Sequence, residues 1–477
     1  MLCELDIENC KEVVYEDEAD VMSLRSINIS PAAEFQYLAE GFMQGLRRLK
    51  DLKVCSCEGM SFLWHDELQQ LTCLRHLIID DSSLQHPILD GEETRQVELW
   101  LPTKLETLEL RKCDNLVKVP EGLHLTSLQE LHIYECPSLI SFSESGLPSS
   151  LQVLKIENCK NLISLVQEEE YSNCAATCLE SLVIRNCPSL KSISSSNGSL
   201  PARFKHLSIR YCPNLQCLSW GKLPDNLRKL EIYDCDNLIC LSSSCELPEA
   251  LESFQIWSCN RLDSLKATLP KSLKSLLICN CGQLKWITDR GIQNLIFLQR
   301  LEISYSEGFM KVLEEVGFPP NLSSLTIRNL KVCKPLLQWG LHRVTSLRKL
   351  HLSGEATDMV SFPPEPEEEE EEEEENVDDE LQGKMMLPNS LTTLNIESFK
   401  NLDKLSAGIQ CLTSLQYLSI CYCEQLNSFL KGGLPLSLLK LEIVYCLLLG
   451  EQCERDEGLL LPVISHIPCV EYDYFQV

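Results

Sequence analysis

Residues 125–165 read LTSLQELHIYECPSLISFSESGLPSSLQVLKIENCKNLISL. The stretch states one pattern twice, L-x-x-L-x-I-x-x-C-x-x-L, first on Leu128, Leu131, Ile133, Cys136 and Leu139, then on Leu151, Leu154, Ile156, Cys159 and Leu162. Within Glu130-Leu131-His132-Ile133-Tyr134 the apolar period is two, so Leu131 and Ile133 point to a core while Glu130, His132 and Tyr134 point to solvent. That is a short β-strand. One such unit cannot bury its own apolar face, but stacked copies pair their strands into a parallel sheet whose returning segments close the core behind it.

Working outward, the same unit recurs with first positions at Leu2, Leu24, Leu49, Leu74, Leu105, Leu128, Leu151, Leu179, Phe204, Leu227, Leu251, Leu273, Leu298, Leu322, Leu347, Leu391, Leu415 and Leu438, mostly 22 to 25 residues apart. That period is the one expected of leucine-rich repeats. The fold expected is an α/β repeat, a curved leucine-rich-repeat solenoid with a parallel β-sheet on the concave face and mostly irregular and 3-10 connections on the convex face. Leu-Pro pairs stand ahead of many strands, as at Leu147-Pro148, Leu223-Pro224, Leu247-Pro248, Leu269-Pro270, Leu387-Pro388 and Leu434-Pro435. Proline has no donor for a ladder and belongs outside it. Helix-length amphipathic runs are few, with Glu40 to Leu49 and Asp289 to Leu298 as the candidates for short helices.

The expected organisation is an array of about 18 repeats over 1–452, an acidic disordered insertion at 363–383 inside it, and a C-terminal cap at 453–477. The insertion falls in the long step from Leu347 to Leu391 and holds all thirteen acids between Glu365 and Glu380. Like charges at that density repel and bury nothing. Because Met1 already stands inside a repeat, the array reads as N-terminally truncated.

The ninth position of the unit is Cys in twelve copies: Cys10, Cys57, Cys113, Cys136, Cys159, Cys187, Cys212, Cys235, Cys259, Cys281, Cys423 and Cys446. A thiol is small, tolerates burial and offers a weak donor to carbonyls where the chain leaves the sheet. Metal ligation would need a tight Cys/His cluster, and none is visible. Cys279 and Cys281 fall on opposite sides of their strand, the first outward and the second inward.

Composition narrows the function. The formal charge is −28, and still −15 without the thirteen acids, which argues against a nucleic-acid partner. No apolar stretch approaches the length of a membrane span, and the N-terminus has no secretory signal, so no membrane is implied and the 26 cysteines read as reduced thiols of a cytoplasmic chain. There is no G-x-x-x-x-G-K-[ST] loop, G-x-G-x-x-G turn, G-x-S-x-G elbow or H-E-x-x-H pair. His76, His132, His206 and His351 fall on exposed strand positions of different repeats. The expectation is a protein without catalytic residues, cofactor or metal. What remains is surface: the outward position after the strand's second apolar residue gives the column Arg111, Tyr134, Arg185, Arg210, Tyr233, Trp257 and Arg328, with Tyr211 one residue beyond. Trp, Tyr and Arg are the side chains interfaces favour. The repeats from Leu128 to Leu227 with that of Leu251 would set out a strip of this column roughly 25 Å long, enough for a protein partner.

The phrases of 125–165, with L-T-S-L and G-L-P-x-x-L openings and C-x-x-L exits, resemble the repeat domain of plant coiled-coil nucleotide-binding leucine-rich-repeat disease-resistance proteins. The tail Ser465-His466-Ile467-Pro468-Cys469-Val470 resembles the I-x-H-I-P-x-V ending of many members. Leu460-Leu461-Pro462 stands where a tryptophan commonly precedes that ending, and no nucleotide-binding module is present in the sequence. The resemblance implies protein recognition in plant defence: a pathogen effector or guarded host protein as partner, and in a full receptor the receptor's own nucleotide-binding domain. One repeat, Cys281 to Asp289, resembles the C-x-x-L-x-x-I-T-D units of F-box ubiquitin-ligase receptors. Substrate recognition for a ligase, or a non-functional receptor fragment, are therefore the alternatives.

Overall fold

The computed structural model describes residues 3–8, 12–13, 22–30, 37–38, 46–55, 68, 71–80, 101–114, 116–119, 125–142, 147–165, 178–193, 200–219, 221–243, 246–262, 264–265, 269–282, 284–286, 290–328, 340–354, 359–364, 387–429, 433–449 and 461–473. The chain forms two compact units, one of Met1–Leu251 with Ser258–Asp263, the other of Glu252–Trp257 with Ser264–Val477. The acidic run from Glu365 onward, and Cys10 and Cys57 of the cysteine series, lie outside the described residues.

In the first unit ten strands pair in parallel, each with the next in sequence: β1 Glu4–Ile7, β2 Ser26–Ile29, β3 Asp51–Cys55, β4 His76–Asp80, β5 Thr107–Arg111, β6 Glu130–Tyr134, β7 Val153–Glu157, β8 Ser181–Arg185, β9 His206–Arg210 and β10 Lys229–Tyr233. In the second unit nine strands do the same: β11 Ser253–Trp257, β12 Ser275–Cys279, β13 Arg300–Ser304, β14 Ser324–Arg328, β15 Lys349–Ser353, β16 Thr393–Glu397, β17 Tyr417–Cys421, β18 Lys440–Val444 and β19 Cys469–Asp473. Each unit is a parallel-sheet solenoid. Every one of the eighteen first positions stands two residues ahead of a strand. Strand β19 comes from the tail and joins β18 in register, Leu441 opposite Val470.

The register explains the core. Leu131 lies opposite Leu154 and Ile133 opposite Ile156, and all four are 1% exposed or less. Identical shapes stack on identical shapes, so each added turn buries the face of the one before it. At about 25 cal/mol per Å² of apolar surface, a buried Leu or Ile contributes about 1.5–3 kcal/mol over its exposed state. The Leu-Pro pairs prove to open turns. The amides of Leu151, Leu227, Leu251 and Leu273 reach back to the carbonyls of Pro148, Pro224, Pro248 and Pro270, so proline lends the one backbone group it has. Serines ahead of the repeat's first Leu close the neighbouring turn, with Ser150 Oγ donating to Leu128 O at 2.7 Å and Ser390 Oγ to Leu347 O at 2.7 Å.

The cysteine series behaves as small core residues with a donor. Cys113, Cys136, Cys159, Cys187, Cys212, Cys235, Cys259, Cys281, Cys423 and Cys446 are all buried. Their thiols donate to the carbonyl two residues back, for example Cys136 to Tyr134 at 3.4 Å, Cys212 to Arg210 at 3.5 Å and Cys423 to Cys421 at 3.4 Å. The residue between takes a left-handed conformation although it is never glycine, with φ from 49° to 59° at positions such as Lys112, Glu135, Asn158, Tyr211 and Tyr422. Its amide explains the tolerance: Glu135 N bonds Glu157 O and Tyr211 N bonds Tyr233 O, each at 2.9 Å in the next turn.

The connections differ from expectation in three ways. Short parallel pairs form behind the main sheet, as in Cys217–Ser219 with Cys240–Ser242. Residues 290–294 make a 3-10 helix followed by a turn onto Leu298, while 40–45 lie outside the described residues and 46–49 form a turn. An α-helix, α1 at Glu307–Val316, fills the connection after β13. Phe309, Val312 and Leu313 are buried on its inner face, and the amide of Gly317 at φ 84° closes it on Leu313 O. Among the described residues no helix is long and apolar enough to cross a membrane.

Candidate functional site

The open face of each sheet carries three outward residues per strand, and parallel in-register pairing sets like positions side by side. In the first unit the last outward column runs Asp80, Arg111, Tyr134, Glu157, Arg185, Arg210, Tyr233. Five of the seven residues singled out from sequence therefore share one sheet, as two groups, Arg111 with Tyr134 and Arg185 with Arg210 and Tyr233. Glu157 stands between them. Trp257 and Arg328 take the same column position on β11 and β14 of the second unit.

Each group is held by contacts within the sheet that carries both. The Arg111 guanidinium lies 5.6 Å from the Tyr134 ring centroid and 2.5 Å from Glu109, whose hydrogen bond raises its pKa. The Arg210 guanidinium lies 4.5 Å from the Tyr233 ring centroid and 3.0 Å from Glu231 Oε2. Arg185 reaches Tyr211 instead, at 6.0 Å. Stacked guanidinium and phenol groups hold each other in place, so the face is ordered before any partner arrives. Asp80, Arg111, Lys112, Tyr134, Glu135, Glu157 and Asn158 line a depression of about 340 Å³.

Glu231 is the electrostatic centre of the second group. Its side chain is 6% exposed and faces His206 Nε2 at 3.9 Å, Arg210 at 3.0 Å and Lys229 at 2.5 Å. The His206 ring, with Lys229, Arg210 and Ser208, holds its carboxyl far below the usual range, against the opposing effect of burial. Neither Glu109 nor Glu231 was singled out from sequence. The signal was Glu two residues before Arg in β5 and two after Lys in β10, which places opposite charges on one outward face.

Two sequence expectations need correction. Of the four histidines on outward positions only His76 is exposed; His132, His206 and His351 are half-buried by neighbours on the open face. Burial lowers the His132 pKa, and His351 Nε2 pairs with Glu397 at 2.8 Å. Cys279 is outward as expected but fully buried, since Trp257 and Ser304 flank it in register, and burial pushes its thiol up to about 12. Among the described residues no group of three or more His, Cys, Asp or Glu side chains comes together in a way that would hold a metal ion.

In the second unit the last column changes character to Trp257, Cys279, Ser304, Arg328, Ser353, Glu397, Cys421 and Val444. Arg328 lies 3.8 Å from Glu302. Sequence reading did not find Tyr422 and Tyr445, one residue past β17 and β18, which stack at 4.9 Å with their planes 9° apart.

No family model matches the chain. Over 204 residues it is 30% identical to a protein of Arabidopsis thaliana that carries the name of a disease resistance protein. The matched region is 42% of this chain and 13% of that protein, so the chain spans about an eighth of that relative's length. Among solved structures, a leucine-rich-repeat protein of Leptospira interrogans is 18% identical, with 98% of this chain and 94% of that one covered at a TM-score of 0.43. An internalin of Listeria monocytogenes is 15% identical, with coverage of 84% and 88% and a TM-score of 0.33. A plant peptide hormone receptor is 15% identical, with coverage of 100% and 97% and a TM-score of 0.29.

Proposed function

We propose that these leucine-rich repeats, of the kind carried by plant disease-resistance proteins, are a cytoplasmic protein-recognition module that binds a pathogen effector or a guarded host protein in plant defence. The observation that carries the reading is the pair of Arg–Tyr groups on the open face of the first unit. Arg111 with Tyr134 and Arg210 with Tyr233 are half-exposed and already oriented by Glu109 and Glu231. A preordered patch of this composition loses little freedom on binding and supplies the side chains that dominate interface energies. The outward polar groups are spent on one another in rows, which suits contact with a surface rather than attack on a bond, so the module is read as non-catalytic. The relative's name favours defence over ligase recruitment, for which a single repeat speaks.

The test uses the full chain as bait in plant extract, beside the triple variant Tyr134→Ala, Arg210→Ala, Tyr233→Ala and a control variant, Ile140→Ser, on the exposed connection behind the sheet. Proteins held by the wild type and the control and lost from the triple variant are the expected result. Equal recovery by all three overturns the assignment of the face. Trp257→Ala and Arg328→Ala, tested separately, ask whether the second unit contributes.

A further inference from the structure

We propose that Cys217 and Cys240 form an oxidisable dithiol, a site at which a peroxide installs a disulfide between two successive turns of the first unit. The two residues are direct register partners in the short parallel pair behind the main sheet. Their sulfurs lie 3.3 Å apart, with the Cys240 thiol directed at Cys217. Adjacent strands set α-carbons about 4.8 Å apart, inside the range a disulfide bridges. Closing the bond asks the sulfurs to approach to about 2.05 Å, a movement of rotamer size in a connection rather than in the core ladder.

Accessibility separates this pair from the inward cysteine series. The inward series also stacks turn on turn, but Cys113, Cys136, Cys159, Cys187, Cys212 and Cys235 are all 0% exposed, so no oxidant reaches them in the folded chain. Cys240 is half-exposed beside the exposed Ile239, whereas Cys217 is 2% exposed. Three other partly exposed thiols face groups that cannot close a disulfide: Cys178 faces the Arg203 guanidinium, Cys421 the Ser419 hydroxyl and Cys469 the Glu471 carboxylate. An accessible thiol beside a shielded one gives a peroxidatic and a resolving sulfur.

The chemistry balances with hydrogen peroxide as oxidant. The Cys240 thiolate attacks one peroxide oxygen, an S–O bond forms, the O–O bond breaks and the leaving hydroxide becomes water. Cys217 sulfur then attacks the sulfenic sulfur, the S–S bond forms, the S–O bond breaks and a second water leaves with the Cys217 proton. Two thiols lose two electrons and the peroxide gains them. A dithiol reductant reverses the step.

The experiment treats the reduced full chain with graded hydrogen peroxide, then denatures, alkylates and maps the cysteines by mass spectrometry. The expected first product is a peptide linked through Cys217 and Cys240, lighter by two hydrogens and restored by dithiothreitol. In Cys217→Ser, peroxide leaves a sulfenic acid on Cys240 that dimedone traps; in Cys240→Ser, Cys217 stays reduced at the same dose. Phenylarsine oxide, which bridges neighbouring thiols, supplies a readout on the unmutated chain and is expected to protect this pair first. Both thiols remaining alkylatable while other cysteines oxidise, or Cys240 linking to another partner, overturns the proposal.

Discussion

The two units run the same repeat, yet they fill its ninth position differently. From Cys113 to Cys235 the first unit places a cysteine there in every turn, each buried and each donating to the carbonyl two residues back. The second unit opens with Cys281 and closes with Cys423 and Cys446, but sets Ser306 and Phe399 between them. The contrast shows that the position demands burial rather than a particular residue, and that each occupant tests its neighbours differently. Where Phe399 stands, the turn before it supplies Gly354, at which a β-carbon would lie 2.6 Å from the Phe399 ring. Phe362 meets the same ring edge-on at 6.0 Å. Where Ser306 stands, its hydroxyl is buried without a hydrogen-bond partner. One substitution is compensated by its neighbours and the other is not.

Breaking the compensated site gives the largest expected effect. Phe399→Ala removes a fully buried ring and leaves a hole that its neighbours cannot close, at a cost of about 3–5 kcal/mol in urea unfolding. A loss under about 1 kcal/mol would mean that Gly354 and Phe362 collapse into the space. Next in size, Gly354→Ala drives a methyl into the ring and is expected to cost about 1–3 kcal/mol. Combining it with Phe399→Cys, which recreates the residue of the first unit, should recover part of that cost. A double variant no better than the sum of the singles would show that Gly354 serves its own backbone, whose amide bonds Glu397 O at 2.8 Å, and not the ring.

The uncompensated site is expected to move the other way. Ser306→Cys exchanges an orphaned hydroxyl for a thiol that suits the ladder and should stabilise the chain by about 1 kcal/mol. The converse change in the first unit, Cys212→Ser, should cost a similar amount, since burial already pushes the Cys212 thiol up to about 11 and marks the site as hostile to polarity. Calorimetric midpoints moving in opposite directions check the pair; shifts of the same sign would break the equivalence of the two ladders.

How much of this was legible beforehand follows from what each feature depends on. The strands were readable because side-chain period alone sets them: Leu131 and Ile133 repeat in Leu154 and Ile156 with no other information needed. The left-handed residue before each cysteine was not, because Lys112, Glu135 and Tyr211 share no side-chain property. Their conformation is fixed by an amide reaching the next turn, which only stacking reveals. Helix α1 was readable in principle from Phe309, Val312, Leu313 and Val316, but ten residues inside a repeat step gave too short a period to stand out. On the open face the Arg and Tyr positions could be read one strand at a time, whereas Glu157 separating them and Glu231 gathering them depend on register across strands.

The open faces extend the comparison, and here the expected effect is smallest. In the first unit Glu231 gathers Arg210, Lys229 and the His206 ring; in the second Glu442 gathers the Tyr417 and Ser419 hydroxyls. A carboxyl whose folded pKa is depressed contributes stability that is fully present above its unfolded value and is lost as pH falls toward the folded one. For Glu231 the unfolded value is near its ordinary 4.5 and the folded one lies well below, so its contribution drains away under acid, beginning near pH 4.5. Glu231→Gln should therefore be less stable than the wild type at neutral pH and should lose less between neutrality and strong acid. The two stability curves must converge as pH falls below 4.5. Curves that stay parallel through that window would mean that the cations around Glu231 are balanced by other groups, and that the first unit's face is ordered by packing of Arg210 on Tyr233 rather than by charge.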